Sequence, residues 1–113
     1  MHLYLRILQK TFRVFHLLNS NIPSVFQGIL PRGKSPNPLR ERNAEVNTLV
    51  QEAVSSLPHA SFLNVDPGFV HSNGSICHQD MYDYLHLTPK GYQAVCEPLH
   101  AHLTSMLDKP AEN

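Results

Sequence analysis

Apolar residues recur at helical spacing near the start of the chain. Leu3, Tyr4, Ile7, Leu8, Phe12, Phe15 and Leu18 form one stripe, with Arg6, Lys10 and Arg13 off it, and this predicts an amphipathic helix over 3–18. Asn19-Ser20-Asn21 stops it and Pro23 sets the exit. Ser24 to Leu30 is a short apolar run closed by Pro31-Arg32-Gly33, which reads as a buried strand weakened by Gln27 and Gly28. The Pro-rich stretch 31–38 cannot form a ladder. Asn37 then reads as an N-cap with Pro38 at the first helical position. Leu39, Val46, Leu49, Val50, Ala53 and Leu57 follow at helical spacing, predicting a helix over 38–57 that Pro58 ends. Ser61 to Asp66 is a second strand, closed by Pro67-Gly68.

Residues 67–87 have no period. A structureless loop of that length inside a compact domain is usually functional. Thr88 caps a last helix with Pro89 at its first position. Its stripe is Tyr92, Val95, Cys96, Leu99, Leu103, Met106 and Leu107, and Pro110 ends it. Strand, long helix, strand reads as a parallel crossover and hence an α/β fold. With about two strands the sheet is incomplete, as if the first strands of a doubly wound domain were absent.

Composition narrows the partners. The chain has 113 residues, enough for one domain. Nine basic residues balance nine acidic ones, so there is no electrostatic case for nucleic acid. Eight histidines make the chain cationic once they protonate, below about pH 6.5. No run of 18 apolar residues is present, so no membrane span is expected. Charges at Arg6, Lys10 and Arg13 interrupt the apolar start, which is unlike a secretory leader. Cys77 and Cys96 are too few for a disulfide framework. A cytoplasmic protein with reduced thiols is the expectation.

The loop 66–87 is the candidate site, because ligands of open parallel sheets bind beyond the carboxyl ends of the strands. Within it, Asp83-Tyr84-Leu85-His86 precedes a capped helix at once. That spacing lets Asp83 meet His86 Nδ1 in a turn, fixing the tautomer and leaving Nε2 to face a nucleophile. Ordinary surface and capping pairs show the same spacing. His71, Cys77, His78 and Asp80 lack the paired spacing of a metal site, and no metal or cofactor is expected. His100 and His102 fall off the last helix's apolar stripe and read as solvated. Met81, Tyr82 and Tyr84 read as loop packing, and Arg32 and Arg40 as solvated charges or partner contacts.

Three blocks carry a resemblance. They are Leu30-Pro-Arg-Gly-Lys-Ser-Pro-Asn-Pro-Leu-Arg40 with Asn43, Val46 and Asn47; Asp66-Pro-Gly-Phe-Val-His71; and His78-Gln-Asp-Met-Tyr-Asp-Tyr-Leu-His-Leu87 with Gly91-Tyr92. From about residue 28 to about 107 the chain resembles the α-type catalytic subunits of type Ib platelet-activating factor acetylhydrolase, members of the SGNH, or GDSL-type, hydrolases. The resemblance implies the C-terminal half of a flavodoxin-like α/β/α sandwich over 23–113, preceded by a divergent helical segment over 1–22. It implies that Asp83 and His86 are the orienting acid and general base of a Ser-Asp-His triad acting on an acetylated ether phospholipid. It also implies partners: a second catalytic subunit, in a homo- or heterodimer, and a WD40-repeat regulatory subunit. The family's Gly-Asp-Ser block does not occur in these 113 residues, nor do counterparts of its upstream oxyanion-hole Gly and Asn. The expectation is an inactive chain, or alternatively a non-catalytic interaction protein that binds acetylhydrolase subunits or the WD40 partner. Ser20 and Ser24 flank a helix end, Ser35 lies in the Pro-rich loop, Ser55 and Ser56 end a helix, and Ser72 and Ser75 are near the His-rich loop but have no strand-to-helix elbow; an unactivated hydroxyl is a poor nucleophile.

Overall fold

The computed structural model describes residues 2–18 and 22–108. The elements run α1 (His2–Leu18), β1 (Ser24–Gln27), α2 (Pro38–Val54), β2 (Ala60–Leu63) and α3 (Pro89–Leu107). The chain divides into two compact units, one of Met1–Pro31 and Asn37–Asn64, the other of Arg32–Pro36 and Val65–Asn113. The proposed stops at Asn19-Ser20-Asn21 and Pro110 lie outside the described residues, as do the side chains of Tyr4, Phe15 and Leu18.

In the first unit β1 and β2 pair in parallel, Ser24 opposite Ala60 and Gln27 opposite Leu63. This is the pairing expected of strands joined through a long helix. Both strands are shorter than the apolar runs that predict them. After Gln27, Gly28 N–H still donates to the Leu63 carbonyl at 2.9 Å, but Ile29 turns to another partner. Its N–H donates to Asn47 Oδ1 at 2.7 Å, and its carbonyl accepts from Asn47 Nδ2 at 2.9 Å. The side-chain amide thus replaces a strand, and the ladder ends. β2 loses its partner at the same level, so Val65 and Asp66 leave the sheet.

Asn37 caps α2 as expected, its Oδ1 accepting from Leu39 N–H at 3.1 Å and Arg40 N–H at 3.3 Å. The helix ends at Val54, three residues early. The Ser55 and Ser56 hydroxyls donate back to the Glu52 and Ala53 carbonyls, which satisfies the last turn before Pro58 is reached. Ala53 and Val54 are buried, while both strands are at most half-buried. On α1, Leu8 and Phe12 are half-buried and Leu3 and Ile7 are exposed. Phe12 packs on Phe26 of β1, ring centroids 4.7 Å apart.

The second unit holds most of the buried apolar side chains: Val65, Phe69, Ile76, Met81 and Val95. Its aperiodic stretch is not structureless. Val70 and Ile76 pair across a turn closed by Gly74, whose φ is 84°, and Met81 and Leu87 pair across the segment between them. α3 is covered mainly near its start. Val95 is buried, Leu99 and Met106 are half-buried, and Tyr92, Cys96, Leu103 and Leu107 are exposed. Pro98 lies inside this helix, where it removes one backbone donor. Among the described residues no helix is long and apolar enough to cross a membrane.

Candidate functional site

The Asp83–His86 segment is shaped by short-range bonds. Asp83 Oδ1 accepts from Leu85 N–H at 3.0 Å and from His86 N–H at 2.6 Å. This is an Asx turn, in which the side chain takes the place of a backbone carbonyl. The same pattern recurs at Asp66, whose Oδ1 accepts from Gly68 N–H at 2.9 Å and Phe69 N–H at 3.0 Å. The turn at Asp83 needs Tyr84 in the left-handed region, with φ 62°. For a bulky residue that conformation stores strain. It is held by the Tyr84 N–H donating to the Met81 carbonyl at 3.0 Å and by the Tyr84 carbonyl accepting from Gly33 N–H at 2.8 Å. Lys34 sits over the same ring, 6.0 Å from its centroid.

With Oδ1 committed to the backbone, Oδ2 is free for the imidazole. His86 Nδ1 lies 2.6 Å from it. A carboxylate can only accept, so Nδ1 carries the proton, and in the neutral ring Nε2 is the nitrogen that keeps its lone pair. The His86 side chain is 62% exposed and that of Asp83 40%. An exposed pair contributes little to stability, so its consequence is orientation. The Asp83 carboxyl is lowered to about 2, first by the His86 backbone N–H and then by the His86 side chain. It is therefore ionised across the whole physiological range.

The start of α3 fixes where this segment ends. Thr88 Oγ1 donates to the Gln79 carbonyl at 2.5 Å and accepts from Gly91 N–H at 3.1 Å, while Thr88 N–H donates to the Asp80 carbonyl at 2.9 Å. A β-carbon on Gly91 would overlap that Asp80 carbonyl oxygen. Glycine at 91 is thus a packing requirement of the join between loop and helix. The residue pattern alone gives no sign of this role, nor of the left-handed backbone of Tyr84 or the Asn47 clamp.

Other candidates separate. Among the described residues, no three His, Cys, Asp or Glu side chains group to hold a metal. Cys77 and Cys96 are free thiols. His100 is exposed as expected of a solvated side chain, whereas His102 is half-buried and has a partner. Arg32 and Arg40 likewise have partners, and Arg40 is half-buried. The Ser24, Ser55 and Ser56 hydroxyls donate to nearby backbone carbonyls, and Ser75 Oγ donates to Asn73 Oδ1 at 2.7 Å. Ser72 is exposed, and Ser20 lies outside the described residues. A recess of about 300 Å³ lined by Asn47, Thr48, Gln51, Phe62 and Asn64 belongs to the first unit and contains neither Asp83 nor His86.

No family model matches the chain. It is 53% identical over 97 residues to the platelet-activating factor acetylhydrolase IB subunit alpha1 of Homo sapiens, a match covering 83% of this chain and 42% of that protein. The Rattus norvegicus alpha1 subunit is 58% identical over 83 residues, covering 74% of this chain and 36% of that one. The Gallus gallus alpha2 subunit is 43% identical over 102 residues, covering 88% and 44%. The chain spans less than half the length of these relatives. A solved structure from Streptococcus pneumonia, named for platelet activating factor, superposes with a TM-score of 0.70 at 22% identity, over 88% of this chain and 50% of that one. That likeness shows the fold. The chain is related to part of an acetylhydrolase IB alpha subunit, and the partial coverage fits the C-terminal portion.

Proposed function

We propose that this chain carries the acid–base pair of a lipid acetyl-ester hydrolase, the acetylhydrolase IB type, without its nucleophile. The 2.6 Å bond between Asp83 Oδ2 and His86 Nδ1 is the observation that supports this reading. With Nδ1–H held by the carboxylate, Nε2 can take a proton from an attacking serine hydroxyl. The imidazolium so formed is stabilised by Asp83, and the same nitrogen returns the proton to the leaving alkoxide. Asp83 stays ionised throughout, as its lowered pKa requires.

The 113 residues contain no Gly-Asp-Ser block, and the serine hydroxyls at 24, 55, 56 and 75 are engaged locally. A base with nothing to deprotonate accelerates little. Loss of a triad nucleophile costs several orders of magnitude, and one missing oxyanion donor costs about 10²–10³. The chain by itself is therefore expected to hydrolyse an acetylated ether phospholipid or an aryl acetate no faster than free imidazole. The alternative is a non-catalytic protein that binds acetylhydrolase subunits or their WD40 partner. The exposed apolar residues of α1 and the half-covered parallel strands favour it. Cytoplasmic location and a role in lipid metabolism go with either reading, as does the division into a helical segment, 1–22, and a hydrolase-like portion, 23–113.

The experiment is turnover of both esters by the purified chain and by His86→Ala, beside a full-length alpha1 subunit. Saturable hydrolysis abolished by His86→Ala would overturn the inactive reading and return attention to Ser72 and Ser75. Co-purification with an alpha subunit or the WD40 protein, without turnover, would select the binding alternative.

A further inference from the structure

We infer that Tyr82 is a positioning residue whose ring, stacked on His86, holds the imidazole in the plane where Nδ1 meets Asp83. This deepens the reading of Asp83 and His86 as an acid–base pair and rests on it. The two rings have centroids 5.9 Å apart and planes inclined by 20°, within the range of offset stacking. The backbone sets them side by side. Tyr82 N–H donates to the His86 carbonyl at 3.2 Å, just inside the Met81–Leu87 bridge. Paired residues at such a site present their side chains to the same face.

Burial does not explain the placement of Tyr82, which is 64% exposed. Nor is His86 clamped by surrounding core, since its side chain is 62% exposed. A single hydrogen bond between exposed side chains orients the ring only while it is made, and each time it opens the imidazole can turn about χ1 and χ2. A flat neighbour removes that freedom. Asp83 then selects the tautomer, and Tyr82 favours the ring rotamer in which that bond is made and Nε2 is oriented. The stack needs the aromatic face and not the phenol hydroxyl.

Imidazole ¹⁵N shifts of neutral His86 test this in the whole chain, with no catalysis required. In the unchanged protein Nδ1 is expected to read as protonated and Nε2 as bearing the lone pair. Tyr82→Phe should preserve both shifts. Tyr82→Leu, which keeps apolar bulk without a π face, and Tyr82→Ala should each lower the equilibrium constant between the Asp83-bonded and the free ring by about 2- to 10-fold, the range for one aromatic pair. Both nitrogens would then move toward their exchange-averaged values. The Met81 methyl and Ile76 amide resonances report whether the loop remains folded, and Tyr82→Leu decides the matter should Tyr82→Ala unfold it. Wild-type shifts in a folded Tyr82→Leu or Tyr82→Ala chain would overturn the inference and leave the dyad standing. Absence of the Nδ1–H tautomer in the unchanged protein would instead overturn the acid–base reading beneath it.

Discussion

The two units differ in how they come to be ordered. The first holds the sheet and two of the three helices, yet only Ala53 and Val54 are buried among its described residues. Among its described residues the second has one helix and no strand longer than an isolated bridge, yet it buries Val65, Phe69, Ile76, Met81 and Val95. Parallel strands are stable when both faces are covered, and here every residue of β1 and β2 retains some exposure. Turns anchored by Asp66 and Asp83 satisfy their backbone donors within three residues. Regular structure in this chain therefore depends on neighbours, whereas the candidate site depends on short-range bonds beside a small set of buried apolar side chains. The Asp83–His86 contact can then keep its geometry from the bonds of its own turn, with no covered sheet required.

The largest expected effect breaks that core. Met81 is fully buried, and truncating a buried methionine costs about 2–5 kcal/mol. Met81→Ala should therefore lower the urea midpoint of the chain strongly and release the Leu85 and His86 amides to hydrogen exchange. Val25→Ala, at a half-buried position of β1, should cost clearly less. If the two costs came out reversed, the sheet and not the loop core would be the stable part, and the contrast between the units would fail.

A smaller effect tests the join between loop and helix. Gly91→Ala drives a β-carbon into the Asp80 backbone carbonyl, which cannot move without breaking its bond from Thr88. Overpacking of this kind costs about 1–3 kcal/mol. At Gly28 the nearest obstacle is Phe62 Cζ, 3.1 Å away, at the far end of a side chain that can turn. Gly28→Ala should therefore shift the thermal midpoint less than Gly91→Ala. Equal shifts would mean that the carbonyl at Asp80 yields as easily as a ring.

Much of this was legible from residues alone, and the misses share a cause. Asn37-Pro38 and Thr88-Pro89 announce both caps because a side-chain acceptor beside a proline has few other uses. The parallel pairing followed from two apolar runs flanking a long helix. Element ends were misread wherever a side chain ended the ladder or helix before a proline did, as Asn47 does for Ile29 and Ser55 and Ser56 do for α2. Periodicity carries no record of such bonds. Asp83 and His86 could be named from their spacing and the resemblance. The left-handed Tyr84 between them could not, since nothing in a tyrosine signals positive φ. Tyr82 reads as packing because a stack on His86 requires the register of the 81–87 turn, which is set only in the folded chain.

The finest test titrates the bond on which the local ordering of the site turns. Asp83 titrates at about 2 in the folded chain, against an ordinary value of 3.8. Its folded pKa lies below the unfolded one, so its contribution is fully present above about pH 3.8 and is lost as the pH falls through 2. The sign follows from the bonds themselves. Protonation weakens the carboxylate as an acceptor for the His86 and Leu85 N–H groups, and the negative partner of His86 disappears. The carboxyl ¹³C shift of Asp83 should accordingly move with a midpoint near 2, and the His86 amide should lose protection over the same interval. In Asp83→Asn the turn acceptor remains but the charge is gone, so the amide should keep part of its protection at every pH while the low-pH step vanishes. A ¹³C midpoint near 3.8 would show that the Asx turn is not populated in solution. The second unit would then owe its site geometry to something other than the local bonds that set it apart from the first.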